Sequence, residues 1–174
     1  MRVTASISTF EVGDRLEIEL GAAADRGAGG ARQVIVLATS GSPASLRATV
    51  FAAELAGDIG ATLRIVHVVA PVEYRVGRLA PMRPVSRRLT DPFQSPVLRQ
   101  ARELAWRHGS AAILQLVAGD PPAAIIAAAR GTHADLLVIG ARPQARWRGA
   151  PTRRWVQAHA PCQVFTAPIG CLRP

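Results

Sequence analysis

The sequence predicts an α/β domain built on an open five-stranded parallel sheet with helices on both faces. Three observations predict it. Five short apolar runs recur along the chain, at 33–39, 62–69, 111–117, 136–139 and 163–166. The first of them, Gln33–Thr39, is apolar and β-branched, as a strand buried on both faces should be. The segments between them open on a capping residue followed by proline, Ser42-Pro43 and Asp120-Pro121, which is how helices begin. Strands that alternate with helices in this way form parallel sheets through right-handed crossovers.

Taken in order, residues 1–20 alternate apolar and polar side chains around Phe10, Val12, Leu16, Ile18 and Leu20, with Gly13-Asp14 between the halves. That pattern predicts a two-stranded hairpin that must pack on something, since an isolated hairpin is marginal. Residues 21–31 are rich in glycine and alanine and read as a flexible linker, so 1–31 is an N-terminal extension. The domain proper is placed at 32–169, with 170–174 as a tail. Its first strand, Gln33–Thr39, leads into a helix that begins at Ser42-Pro43 and stops at Gly60. Leu46, Val50, Ala53, Leu55 and Ile59 are its expected core face. The second strand is 62–69. Residues 70–94 carry Pro71, Pro81, Pro84 and Pro92 among five arginines and predict an irregular loop. A helix resumes near Pro96 and runs to His108. The third strand (111–117), the Asp120-capped helix, the fourth strand (136–139), a short helix and the fifth strand (163–166) complete the pattern.

At 174 residues, nearly half hydrophobic, the chain can bury a substantial core. No apolar run approaches the roughly 20 residues that span a bilayer, and the first residues show no signal-peptide apolar region. A cytoplasmic location and no membrane partner are therefore expected. Two cysteines, Cys162 and Cys171, are too few for a disulfide framework and fit no metal spacing. The net charge is +9, and every basic residue is arginine; the chain has no lysine and no asparagine. Such a composition follows from GC-rich coding as readily as from a nucleic-acid footprint. With no interleaved aromatics or RNA-binding signature, no specific nucleic-acid partner is expected.

In open parallel sheets, ligands sit beyond the carboxyl ends of the strands, where the strand order reverses. The candidate site is therefore Thr39, Ser40, Gly41 and Ser42, with Val69 and the stretch from Gly140 to Thr152. The loop 141–154 holds Arg142, Arg146, Arg148, Arg153 and Arg154 and no acid. It reads either as a solvated basic edge or as an anion site in which guanidinium groups take the place of backbone N–H groups. Trp147 and Trp155 stack on a base or on these arginines, or simply pack.

Five short motifs now fall into place. They are Val36-Leu37-Ala38-Thr39-Ser40-Gly41-Ser42, His67-Val68-Val69, Gly119-Asp120-Pro121, Ala134 through Gly140, and His159-Ala160-Pro161-Cys162. In this order and spacing, residues 33–168 resemble the universal stress protein family. The resemblance implies a Rossmann-like sheet of the adenine nucleotide α-hydrolase type with strand order 3-2-1-4-5. It also implies a homodimer paired through the fifth strand, Gln163, Val164, Phe165 and Thr166, and a part in stress survival. ATP-binding members carry an Asp after the first strand, where this chain has Ser40. They also carry a loop of the form G-x2-G-x9-G-[ST], whose glycines let backbone N–H groups close around phosphates. Gly140 matches its first glycine. The second falls on Pro143, which has no N–H and a fixed φ. Counting back from His159 shows the loop to be shortened, with only Gly149 near the third position.

The expectation is therefore a non-enzymatic, dimeric stress-response or regulatory protein with no tight ATP site and no required cofactor. A phosphate-bearing or acidic partner at the arginines fits that expectation. The alternative is a nucleotide-binding switch, or a nucleotide enzyme of a related fold. Ser40-Gly41-Ser42-Pro43-Ala44-Ser45 is similar to the pyrophosphatase pattern S-G-G-x-D-S but lacks its second glycine and aspartate. No catalytic residue is assigned. Asp120 reads as a helix cap, Asp135 as the start of a strand, His67 as a half-buried structural histidine, His108 as a cation at a helix end, and His159 as part of its motif.

Overall fold

The computed structural model describes residues 15–18, 32–69, 72–74, 83–85, 92–140 and 151–167. The elements are β1 (Arg15–Ile18), β2 (Val34–Ala38), α1 (Pro43–Ile59), β3 (Thr62–Val69), β4 (Val72–Tyr74), β5 (Arg83–Val85), α2 (Pro96–Arg107), β6 (Ala112–Ala118), α3 (Pro121–Gly131), β7 (Leu136–Gly140), α4 (Pro151–His159) and β8 (Gln163–Ala167). A single 3-10 turn at Pro92–Gln94 precedes α2.

The main sheet runs β1-β6-β3-β2-β7-β8. Its five parallel strands have the order 3-2-1-4-5, as expected. To them the extension adds a sixth strand. β1 lies antiparallel along β6, with Arg15 opposite Val117 and Ile18 opposite Leu114. So the second half of the expected hairpin docks on the domain's own sheet. Its first half, residues 1–14, lies outside the described residues, as do residues 19–31 with the linker and 168–174 with the tail.

The alternation of the strands sends side chains to two cores. Ile35, Leu37, Leu63, Ile65, Leu114 and Leu116 meet α1 and α2 on one face. Val36, Val66, Val117, Leu137 and Ile139 meet α3 and Val156 of α4 on the other. Helices on both faces follow from this two-sided burial. α1 keeps Val50 and Ala53 of its expected face buried and Leu55 against the core, but departs from it elsewhere. Its sheet-facing stripe is Ala48, Ala52, Ala53 and Ala56, all nearly inaccessible, whereas Ile59 is 50% exposed. Small side chains let the helix lie close on the sheet, and a search for large apolar residues overlooks them.

The helix ends behave as the sequence foretold. Ser42 caps α1 by accepting from the N–H of Ser45, and Gly60 ends it at φ 67°. Asp120 caps α3 by accepting from the N–H of Ala123. The irregular loop is corrected in part: Val72–Tyr74 and Arg83–Val85 pair as an antiparallel ribbon. Strands of three residues are too short to show a period, and Pro84 argues against one locally.

Candidate functional site

β2 is the strand at which the order reverses, with β3 on one side and β7 on the other. Its carboxyl end delivers the chain into Thr39-Ser40-Gly41-Ser42 and then directly into α1. Ligands of open α/β sheets sit at this kind of place. Gly140 closes the same corner from β7. A Cβ on Gly140 would stand 2.6 Å from the backbone carbonyl carbon and oxygen of Ala44 and 2.7 Å from the N of Ser45. Glycine is needed here so that β7 can touch the first turn of α1. The structure therefore brings Thr39, Ser40, Gly41, Ser42 and Gly140 together. Val69 ends the neighbouring strand β3, where its carbonyl accepts from the N–H of Gly119 at 3.2 Å.

The first βα turn is tied up in hydrogen bonds of its own. The Ser45 hydroxyl is 3.3 Å from the N–H of Ser40, which donates to it, and itself donates to the Ser42 carbonyl at 2.9 Å. The Ser42 hydroxyl accepts from the N–H of Ser45 at 3.3 Å and from the Ser40 hydroxyl at 3.2 Å. The N–H of Gly41 reaches the Thr39 hydroxyl at 3.4 Å. Pro43 has no N–H to offer. Three backbone donors that would face an anion at this helix N-terminus thus already have hydroxyl partners within the turn. Ser45, buried with 3% exposure, is the residue that the sequence reading missed. The Ser42–Ser45 spacing fits a helix cap, but nothing local shows that the Ser45 hydroxyl also takes the Ser40 N–H.

The histidines are held structurally. His67 Nδ1 lies 2.9 Å from the Thr39 carbonyl and must donate to it, fixing the end of β2 against β3. His108 Nδ1 meets Glu54 Oε1 at 3.0 Å, linking the end of α2 to α1. His159 Nδ1 donates to the Trp155 carbonyl at 2.8 Å, and the two rings stack 4.3 Å apart. Trp155 therefore stacks on its own helix. Asp135 brackets the starts of two strands: its carboxylate accepts from the N–H of Val34 at 2.8 Å, and its own N–H donates to the Val34 carbonyl at 2.9 Å. Burial pushes the Cys162 thiol up, and the Asp135 charge adds to this, so the sulfur stays protonated near neutral pH. Among the described residues no three metal-ligating side chains converge, and no histidine is paired with a serine or cysteine as base to nucleophile.

Arg142, Arg146, Arg148 and Gly149 lie outside the described residues, as do Pro143 and Trp147. Arg153 and Arg154 are exposed on the first turns of α4. Among the described residues no helix is long and apolar enough to cross a membrane.

Gln163–Ala167 forms the sheet's far edge, with β7 as its one neighbour. Gln163 is exposed, and Val164, Phe165 and Thr166 are partly buried. Phe165 stacks on Phe51 of α1 with ring centroids 4.2 Å apart. The side-chain amide of Gln157 donates to the Thr166 hydroxyl at 3.4 Å.

The profile of the universal stress protein family matches residues 31–168. Among solved structures, a universal stress protein crystallised in complex with cAMP is 25% identical, with a TM-score of 0.60 over 81% of this chain and 100% of that one. A protein of the same family from Burkholderia pseudomallei is 28% identical, with a TM-score of 0.58 over 78% of this chain and 96% of that one. A universal stress protein from Archaeoglobus fulgidus in complex with dAMP shares the fold at 22% identity, with a TM-score of 0.57 over 79% and 98%. No curated protein matches the chain significantly.

Proposed function

The chain belongs to the universal stress protein family, and from that premise we propose that it is a non-enzymatic, homodimeric stress-response or regulatory protein that binds ATP weakly or not at all. The observation that carries this reading is the hydroxyl knot of the first βα turn. Ser40, Gly41 and Ser45 each donate their backbone N–H to a hydroxyl of the same turn. A phosphate would have to displace these bonds to reach these three donors at the helix N-terminus. The sequence supports the reading twice more, with Ser40 where an acid is expected and Pro143 in a shortened loop.

Two features support the dimer. β8 is an uncharged strand with a neighbour on one side only, and a bare apolar edge is an aggregation liability unless it is paired. Val164 and Phe165 are only partly buried within the protomer, leaving apolar surface for a second copy to cover. The arginines at 142–154 suit a phosphate-bearing or acidic partner held by charge, a contact that salt should weaken.

A second reading, a nucleotide-binding switch, is favoured by the relative solved with cAMP. Calorimetric titration with Mg-ATP, and separately with cAMP and inorganic phosphate at low salt, separates the two. Weak or absent heat with both nucleotides is expected. Micromolar affinity for either nucleotide would overturn the first reading in favour of the second. Phosphate binding that fades with salt, and with Arg146→Ala plus Arg148→Ala, supports the anion contact; phosphate silence at low salt removes it.

A further inference from the structure

We infer that β1 is a guard strand: it occupies the β6 edge of the sheet and so confines association between copies to the β8 edge. The inference rests on the dimer reading above and goes beyond it, by assigning a role to the N-terminal extension.

The argument begins with β6. Its seven residues, Ala112-Ile113-Leu114-Gln115-Leu116-Val117-Ala118, include no charge and no proline. Five parallel strands alone would leave β6 as an edge, with one row of its backbone N–H and C=O groups unpaired. A run of that length, apolar and uncharged, is the kind that pairs with other chains. β1 covers its central residues, Leu114 to Val117, by antiparallel pairing. The guard is unlike what it covers. It is four residues long, and two of the four, Arg15 and Glu17, are charged. Short strands and charged residues are what natural sheets use to blunt an edge. β1 also lies outside the residues 31–168 that match the family profile. The device thus belongs to this chain's extension and not to the matched domain.

The connection permits it. Ile18 pairs with Leu114, so β1 ends toward the amino ends of the parallel strands, where β2 begins. Three strand spacings separate β1 from β2, roughly 14 Å. Residues 19–33 join them, and fifteen residues can reach at most about 50 Å, so the connection is long enough. A tether of this reach holds β1 at an effective concentration on the order of millimolar, far above that of a second copy at micromolar protein. The chain's own β1 therefore wins the edge.

The test compares four full-length proteins by sedimentation velocity: wild type, Leu16→Pro with Ile18→Pro, Phe165→Arg, and all three substitutions together. Proline removes backbone donors from the β1–β6 ladder. The wild type should be a dimer. The double-proline variant should form larger species whose size rises with concentration, because both edges are then open. The triple variant should return to no more than a dimer. Hydrogen exchange at residues 114–117 should quicken in the proline variants. An excess of synthetic peptide spanning residues 11–22 should bring the double-proline variant back to wild-type size. The proposal is overturned if the double-proline variant keeps the wild-type size, or if exchange quickens at none of residues 114–117. It is equally overturned if the larger species, soluble or precipitated, persist with the peptide or in the triple variant. A wild type that is a monomer refutes the dimer reading alone, since the proline variant is then judged against that monomer.

Discussion

The two edges of the sheet are opposites. At one, β6 is covered by a short antiparallel strand from outside the family domain, and half of that strand's residues are charged. At the other, β8 runs parallel to β7 with no charge in its five residues and, among the described residues, no neighbour beyond it. A sheet whose edges were alike would offer both to other copies and invite open-ended growth. On the reading proposed above, this sheet offers one. The difference shows how a fold made from alternating strands and helices, which necessarily leaves two edges, is restricted by a segment that the repeating pattern does not contain.

The comparison can be broken most severely from the β8 side, through the strand that supports it. Gly140 ends β7 opposite Ala167 of β8 and presses on the first turn of α1. Gly140→Ala puts a methyl 2.6 Å from backbone atoms that cannot rotate away. A loss of about 2–3 kcal/mol in stability is expected by chemical denaturation, as for other overpacked sites. It should be accompanied by faster amide exchange in β8 than in β1. Wild-type stability would show that the β7–α1 contact relaxes freely.

Phe165→Arg attacks the open edge itself. Sedimentation should show dimer affinity weakened by about 30-fold or more, the scale of an interface hot spot. Loss of the stack on Phe51 should lower protomer stability as well. An unchanged dimer would place the interface elsewhere and remove the contrast between the edges.

The smallest effect is expected on the guarded side. Gln115 sits in β6 opposite Glu17, is 1% exposed, and its side-chain oxygen has no hydrogen-bond partner. An orphaned buried acceptor costs free energy, whereas an apolar group of similar shape does not. Gln115→Met should therefore raise stability by about 1 kcal/mol in the same denaturation experiment. It would also make β6 still more apolar, so solubility should depend more heavily on an intact β1. A destabilised Gln115→Met protein would mean that the amide has a partner in solution.

Much of this was legible from residues alone. The strand runs, the Ser42-Pro43 and Asp120-Pro121 helix starts and the Gly60 stop are local signals, because capping and φ restrictions act within a few residues. The strand order followed from the resemblance, and the sheet bears it out. Asp135 and His67 were read as structural, and their backbone hydrogen bonds agree. Other features were not legible. That Ser45 turns its hydroxyl into the first βα turn depends on where β2 meets α1. That α1 approaches through alanines while Ile59 faces solvent depends on how closely helix and sheet fit.

The sequence by itself determined the five parallel strands, the four helices between them, the starts of α1 and α3, and that both sheet faces are buried. These are consequences of local sterics, hydrogen bonding and periodicity. Only the tertiary structure decided that Gly140 is wedged against α1, that hydroxyls occupy the donors of the first turn, and that residues 15–18 lie against β6. Each of these joins residues distant in sequence through close packing or strand pairing, and such contacts are fixed by the three-dimensional fit of the whole chain, not by any window of it.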